Sequence, residues 1–166
     1  MPIVVGTTGF ELEDAWREAP VGVFVAPNFA IGAALMQRFA ALAARYLPAV
    51  EIVELHHDGK ADAPSGTAAA TADAVAAARA EAWSGPPSES IPGVHGGERA
   101  GIRIHSIRLP GLVAHQEVIF GGQGQTLTVR HDSTDRSSFV PGVLMAIRWV
   151  PTHPGLTVGL DAILDA

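Results

Sequence analysis

Side chains able to do chemistry are concentrated in one stretch, Glu54-Leu55-His56-His57-Asp58-Gly59-Lys60-Ala61-Asp62-Ala63-Pro64-Ser65-Gly66-Thr67. A histidine moves protons near neutral pH, because its ordinary pKa lies there. Lys60 follows His56 by four residues and adds a full positive charge. Ser65, Gly66 and Thr67 lead into an alanine-rich run that is a strong helix former. Their amides are therefore expected to stand unpaired at a helix N-terminus, where carboxylate or phosphate binds readily. The combination reads as an anion pocket beside a proton donor. Blander readings stand next to it. Ser65 or Asp62 also suits a plain helix cap, Lys60 a solvated loop lysine, and either histidine a satisfied strand end. Metal binding is not expected, since adjacent histidines do not easily share one ion and no zincin-type spacing occurs.

These residues need elements to position them. Val50 to Leu55 reads as a strand of β-branched and apolar residues with its acids on the other face. His56 and His57 stand at its carboxyl end and point to opposite faces unless the backbone turns. Asp58-Gly59 is a turn signal. Pro64 suits the first turn of the helix that follows. Upstream, Ala30 to Tyr46 reads as a packing helix. Ile31, Leu35, Phe39, Leu42 and Tyr46 draw its apolar stripe, Asn28 is its N-cap, and Gly32, Ala33 and Ala40 allow close approach.

The chain opens with a strand at Pro2 to Val5, a turn at Gly6 to Phe10, a short acidic helix over Glu11 to Glu18 and a strand at Val21 to Val25. Together these form a parallel crossover unit. Gly6-Thr7-Thr8 lies at a strand's carboxyl end, where open α/β sheets bind ligands; an ordinary strand-to-helix turn reads the same. The Gly-x-Gly-x-x-Gly fingerprint occurs nowhere. Downstream, Trp83 to Gly101 reads as a long loop. Ile102 to Leu109, Leu112 to Phe120 and Gln125 to His131 read as an antiparallel meander joined by short turns. With Val50 to Leu55 they give a four-stranded mixed sheet. His105, His115 and His131 read as structural, and Arg136 as structural or a hinge. Ser138 to Val150 is a closing helix with Pro141 in its first turn. Gly155 to Leu164 is a terminal segment expected to return to the N-terminal unit.

Composition narrows the function classes. The 166 residues are 48% hydrophobic and 17% charged, which suits a globular α/β (α+β) protein. A net charge of -6 argues against wide nucleic-acid binding, which needs a basic surface. The absence of cysteine excludes disulfides and thiolate metal sites. No apolar run approaches the length of a membrane span, and the start lacks the pattern of a signal peptide. A soluble, cytoplasmic protein is the expectation.

His56-His57-x-x-Lys60-x-Asp62-Ala63-Pro64-Ser65-Gly66-Thr67-Ala68 closely resembles the signature of the dihydrodipicolinate reductases of lysine and diaminopimelate synthesis. Val5 to Phe10, Ala26 to Gly32, and His131-Asp132-Ser133-x-x-Arg136-x-Ser138-Phe139 match the same family in the same order, closest to its actinobacterial branch. The resemblance implies hydride transfer from NADPH or NADH to a cyclic dicarboxylate. It implies His56 as proton donor and Lys60 as assisting acid and cationic clamp. His57, Ser65, Gly66 and Thr67 would hold a substrate carboxylate. Gly6, Thr7, Thr8, Ala26, Pro27, Asn28 and Phe29 would line the nicotinamide side. A homotetramer built through the sheet is also implied.

Two departures stand against the family pattern. The family's glycine-rich dinucleotide loop is missing from this sequence, and the segment between Phe10 and Val21 is a few residues short. The expectation is thus a chain that starts late in a Rossmann-type domain. Residues 1–27 would end that domain, 28–152 would form the substrate and oligomerisation domain, and 153–166 would return to the first part. Little or no reductase activity is expected of such a chain alone. The alternative is a catalytically silent oligomerisation or substrate-binding module from the same family.

Overall fold

The computed structural model describes residues 1–7, 12–85 and 88–164. In chain order the strands are β1 (Ile3–Val5), β2 (Gly22–Val25), β3 (Ala49–His56), β4 (Gly97–Arg99), β5 (Ile102–Arg108), β6 (Ala114–Gly122), β7 (Gln125–Ser133) and β8 (Gly155–Val158). The α-helices are α1 (Ile31–Ala44), α2 (Gly66–Ala78), α3 (Val140–Trp149) and α4 (Asp161–Leu164). The chain forms two compact units. One comprises Met1–Leu35 with Arg136–Ala166, the other Met36–Asp135.

The first unit holds a parallel sheet in the order β1-β2-β8. β2 is buried along its whole length, as a strand flanked on both sides should be. Phe24, Ala26, Phe29, Ala146, Val150, Leu160 and Ile163 form the core of this unit. α3 lies so close to the segment after β2 that a Cβ added at Gly142 would stand 2.1 Å from the Phe29 carbonyl oxygen. The acidic helix expected over Glu11 to Glu18 is only a 3-10 turn at Asp14–Trp16, and Glu11 lies outside the described residues. Ala19-Pro20 ends this segment before a second turn can form. The closing helix is likewise divided, with a 3-10 turn at Arg136–Phe139 before α3. Pro141 sits in the first turn of α3, as expected.

The second unit holds a five-stranded mixed sheet in the order β4-β5-β3-β6-β7. The expected count was four. The extra strand, β4, lies within the stretch read as a loop and pairs antiparallel with β5. Three residues rich in glycine and charge carry no strand periodicity, so only the pairing reveals it. The expected meander is also corrected. β5 does not pair with β6; it runs parallel to β3, which separates the two. The Leu109–Val113 link instead arches over the end of β3, where the Leu109 amide donates to the His56 carbonyl. β6 and β7 do form an antiparallel hairpin, turning at Gln123-Gly124.

One sheet face is covered by helices. Val50 and Ile52 of β3, Ile102 and Ile104 of β5, and Val118 and Phe120 of β6 pack with Met36, Ala40 and Ala44 of α1 and Ala68, Ala72 and Val75 of α2. The stripe expected to bury α1 is not the buried one. Phe39, Leu42 and Tyr46 are 54%, 53% and 74% exposed, whereas Ala40 and Ala44 are fully buried. Alanines win because close approach of backbone to sheet excludes larger side chains. The uncovered sheet face carries the ion pairs Glu51–His105, His115–Asp132 and Arg130 with Glu117 and Asp132. Val53, Leu55, Ile107 and Ile119 lie half-buried among them.

Candidate active site

The covered face of the sheet changes character along β3. Side chains alternate with period two, so Val50, Ile52, Glu54 and His56 share one face. The first two enter the apolar core; Glu54 and His56 do not. Both acids of β3 were expected on the outer face. Their spacing of three forbids that, and Glu54 is fully buried. A buried carboxylate must be paired and hydrogen-bonded. Arg108, at the end of the neighbouring β5, grips it bidentately, with Nη2 at 2.7 Å from Oε1 and Nη1 at 3.0 Å from Oε2. His56 Nδ1 lies 2.5 Å from Oε2, and the Ser65 amide donates to Oε1 at 3.3 Å. Burial pushes the Glu54 carboxyl up, but hydrogen bonds from His56, Arg108 and Ser106 outweigh it and hold it at about 2.

The cluster extends into the loop between β3 and α2. The Lys60 amide closes a turn on the His57 carbonyl at 3.1 Å. Arg108 donates to the carbonyls of Lys60 and Asp62, at 3.3 and 2.6 Å. Lys60 Nζ meets the Asp62 carboxylate at 2.7 Å. That contact holds the Asp62 carboxyl below its usual range. Ser65 is the N-cap of α2, its Oγ accepting from the Ala68 amide at 3.1 Å. Of the three amides expected to face a ligand, that of Ser65 is therefore turned inward to Glu54. Gly66 is exposed, with open space where a side chain would stand. Pro64 precedes the cap and lies outside the first helical turn.

His56, Lys60, Ser65, Gly66 and Thr67 are thus brought together by β3, β5 and α2. His57, one residue past the strand, is exposed. On the first unit, Gly6 and Thr7 follow β1 and Ala26 to Phe29 follow β2, at the carboxyl ends of parallel strands. The Ala26 amide donates to the Val5 carbonyl. Ala26 and Phe29 are buried, Pro27 is exposed, and the Asn28 Oδ1 accepts from the Ala30 amide at 2.8 Å. A Cβ at Gly6 would come within 3.1 Å of the Phe29 ring. Thr8 lies outside the described residues. Among the described residues no group of three or more acidic or histidine side chains is placed to hold a metal ion, and no helix is long and apolar enough to cross a membrane.

Residues 32–164 match the family model described as Dihydrodipicolinate reductase, C-terminus. The chain belongs to the dihydrodipicolinate reductase family. A 4-hydroxy-tetrahydrodipicolinate reductase of Nocardia farcinica (strain IFM 10152) is 56% identical over 98% of this chain and 70% of its own length. One from Streptomyces griseus is 53% identical over 98% of this chain and 69% of its own length. Among solved structures, a dipicolinate-bound dihydrodipicolinate reductase from Paenisporosarcina sp. TG-14 superposes with a TM-score of 0.85 at 50% identity. That match covers 97% of this chain and 64% of the other. The family is one of oxidoreductases, and the mixed α/β architecture fits that membership.

Two members of the polar cluster escaped the sequence reading, Glu54 and Arg108. Parity along β3 is the signal that could have found Glu54, since it shares the face of two core residues. No local signal marks Arg108; only the parallel pairing of His56 with Arg108 places it there.

Proposed function

We propose that this chain carries the substrate-binding and proton-donating part of a 4-hydroxy-tetrahydrodipicolinate reductase of lysine and diaminopimelate synthesis, binding a cyclic dicarboxylate, with little or no turnover by itself because its sequence holds no glycine-rich dinucleotide loop. One observation carries the reading: Glu54 and Arg108 tie His56, the Lys60 loop and the start of α2 into a single hydrogen-bonded cluster. Lys60 supplies the cation for one substrate carboxylate, which would take the place of Asp62. The exposed amide at Gly66, with Thr67 and the hydroxyl of Ser65, receives a carboxylate at the positive end of α2. His57 adds a further donor beside it. His56 presents its outer ring nitrogen, and its side chain is 14% exposed, enough to touch a bound molecule. The dipicolinate named with the Paenisporosarcina structure supports the choice of a planar dicarboxylate.

NADPH or NADH, when bound, supplies the hydride. Gly6, Thr7 and Thr8 with Ala26 to Phe29 are the residues proposed for the nicotinamide side. Their fit rests on the absence of a Cβ at Gly6, where one would crowd the Phe29 ring, and on the carboxyl ends of β1 and β2. Assembly as a homotetramer, with the uncovered sheet face of the second unit as its seam, and a cytoplasmic setting complete the proposal.

The test is calorimetric titration with pyridine-2,6-dicarboxylate, followed by NADPH oxidation with substrate generated in situ. Binding is expected, weakened at least about tenfold by Lys60→Ala through loss of a charge-assisted contact. A wild-type chain that assembles without binding the dicarboxylate would overturn the reading and leave a silent module.

A further inference from the structure

We propose that Glu54 is a positioning residue for His56. Its carboxylate, clamped by Arg108, fixes the imidazole with a hydrogen on Nδ1 and leaves Nε2 as the atom that delivers the proton. The inference deepens the proposed function and rests on His56 being its proton donor.

The geometry ties the carboxylate to the imidazole. Glu54 is fully buried, and both of its oxygens are engaged by donors. Oε1 takes Arg108 Nη2 at 2.7 Å and the Ser65 amide at 3.3 Å; Oε2 takes Arg108 Nη1 at 3.0 Å and His56 Nδ1 at 2.5 Å. An ionised carboxylate only accepts hydrogen bonds. The hydrogen in the His56 contact is therefore on Nδ1 at every pH at which Glu54 stays ionised, and the hold on that carboxyl at about 2 keeps it ionised throughout the working range. Among the described residues Nε2 meets no protein partner.

This arrangement determines the fate of the proton. In the protonated ring both nitrogens carry hydrogen. On transfer, the Nε2–H bond breaks, its electron pair stays on Nε2, and the proton goes to the substrate atom that receives it. The neutral ring keeps its remaining hydrogen on Nδ1, bonded to Glu54. Nε2 is then the base that regains a proton from solvent, so the same atom serves each turnover. Glu54 takes no proton; it sets tautomer and ring orientation. Arg108 makes that hold rigid, because it also grips the carbonyls of Lys60 and Asp62.

Long-range proton–nitrogen correlation spectra of the histidine rings decide the matter, with His56 assigned by the signal lost in His56→Asn. When neutral, the wild-type ring is expected in the Nδ1–H form, in excess of the other tautomer by about tenfold or more, as a hydrogen bond to a charged group provides. Glu54→Gln should shrink that excess, since the oxygen stays and the charge goes; Glu54→Ala should abolish it. A wild-type His56 found mainly as Nε2–H overturns the proposal without any variant, which covers the case in which Glu54→Ala fails to fold. An excess unchanged in a folded Glu54→Ala also overturns it. Titration with pyridine-2,6-dicarboxylate separates the two claims: a wild type that fails to bind it removes the proposed function, while the tautomer reads the role of Glu54 directly.

Discussion

Glu54 links the stability of the second unit to pH. Its carboxyl is held at about 2 in the fold, against 4.5 as its ordinary value. A depressed pKa contributes stability that is fully present above the unfolded value and lost as pH falls through the folded one. Urea unfolding should therefore weaken between pH 4.5 and 2 by on the order of 3 kcal/mol from this group, and Glu54→Gln should flatten that dependence. Ser65 gives a second measurement at the same scale. Its Oγ caps α2 through the Ala68 amide, so Ser65→Ala should cost about 1 kcal/mol in denaturant unfolding. It should also loosen the N-terminus that the dicarboxylate is proposed to meet.

At the scale of elements, α1 and α3 show how small residues set the distance between layers. Ala40 is fully buried and Tyr46 is 74% exposed. Ala40→Leu should overpack the helix–sheet contact and cost about 1–3 kcal/mol. Tyr46→Ser should change the unfolding free energy of the isolated chain by no more than about 0.5 kcal/mol. Thermal denaturation of the pair checks both; Tyr46 lies in the turn after α1, so the Ala40 variant is the one that tests which face of α1 is the inner one. In the first unit, Gly142→Ala places a methyl 2.1 Å from a backbone oxygen. The helix must move away, and a loss of about 1–3 kcal/mol is the expected result.

At the scale of the whole molecule, the sheet of the second unit has helices on one face only among the described residues. A mixed sheet carrying half-buried Val53, Leu55, Ile107 and Ile119 beside ion pairs on its other face has the mixed polar and apolar character of a protein interface. Sedimentation velocity should show an assembly of four chains. Val53→Arg with Ile119→Arg should reduce it to a single chain with its circular dichroism intact. Wild-type sedimentation as a single chain throughout would remove the tetramer from the proposal.

The sequence by itself determined the parts whose causes are local. β3 and α2 follow from β-branched and alanine-rich runs. The concentration of His56, Lys60, Ser65, Gly66 and Thr67 follows from their adjacency in the chain, and it led to the family. Tertiary structure decided what depends on partners distant in sequence. Arg108 reaches Glu54 only because β5 runs parallel to β3, a pairing that the short link after Leu109 concealed. The stripe Phe39, Leu42 and Tyr46 has the period of a buried face, yet alanines took the inner side, because periodicity records hydrophobicity and not the distance at which layers pack. β4 exists only through its hydrogen bonds to β5. Glu54 lies between these cases. Its parity with Val50 and Ile52 was readable and placed it inward; that the fold buries it with an arginine and a histidine as partners required the sheet.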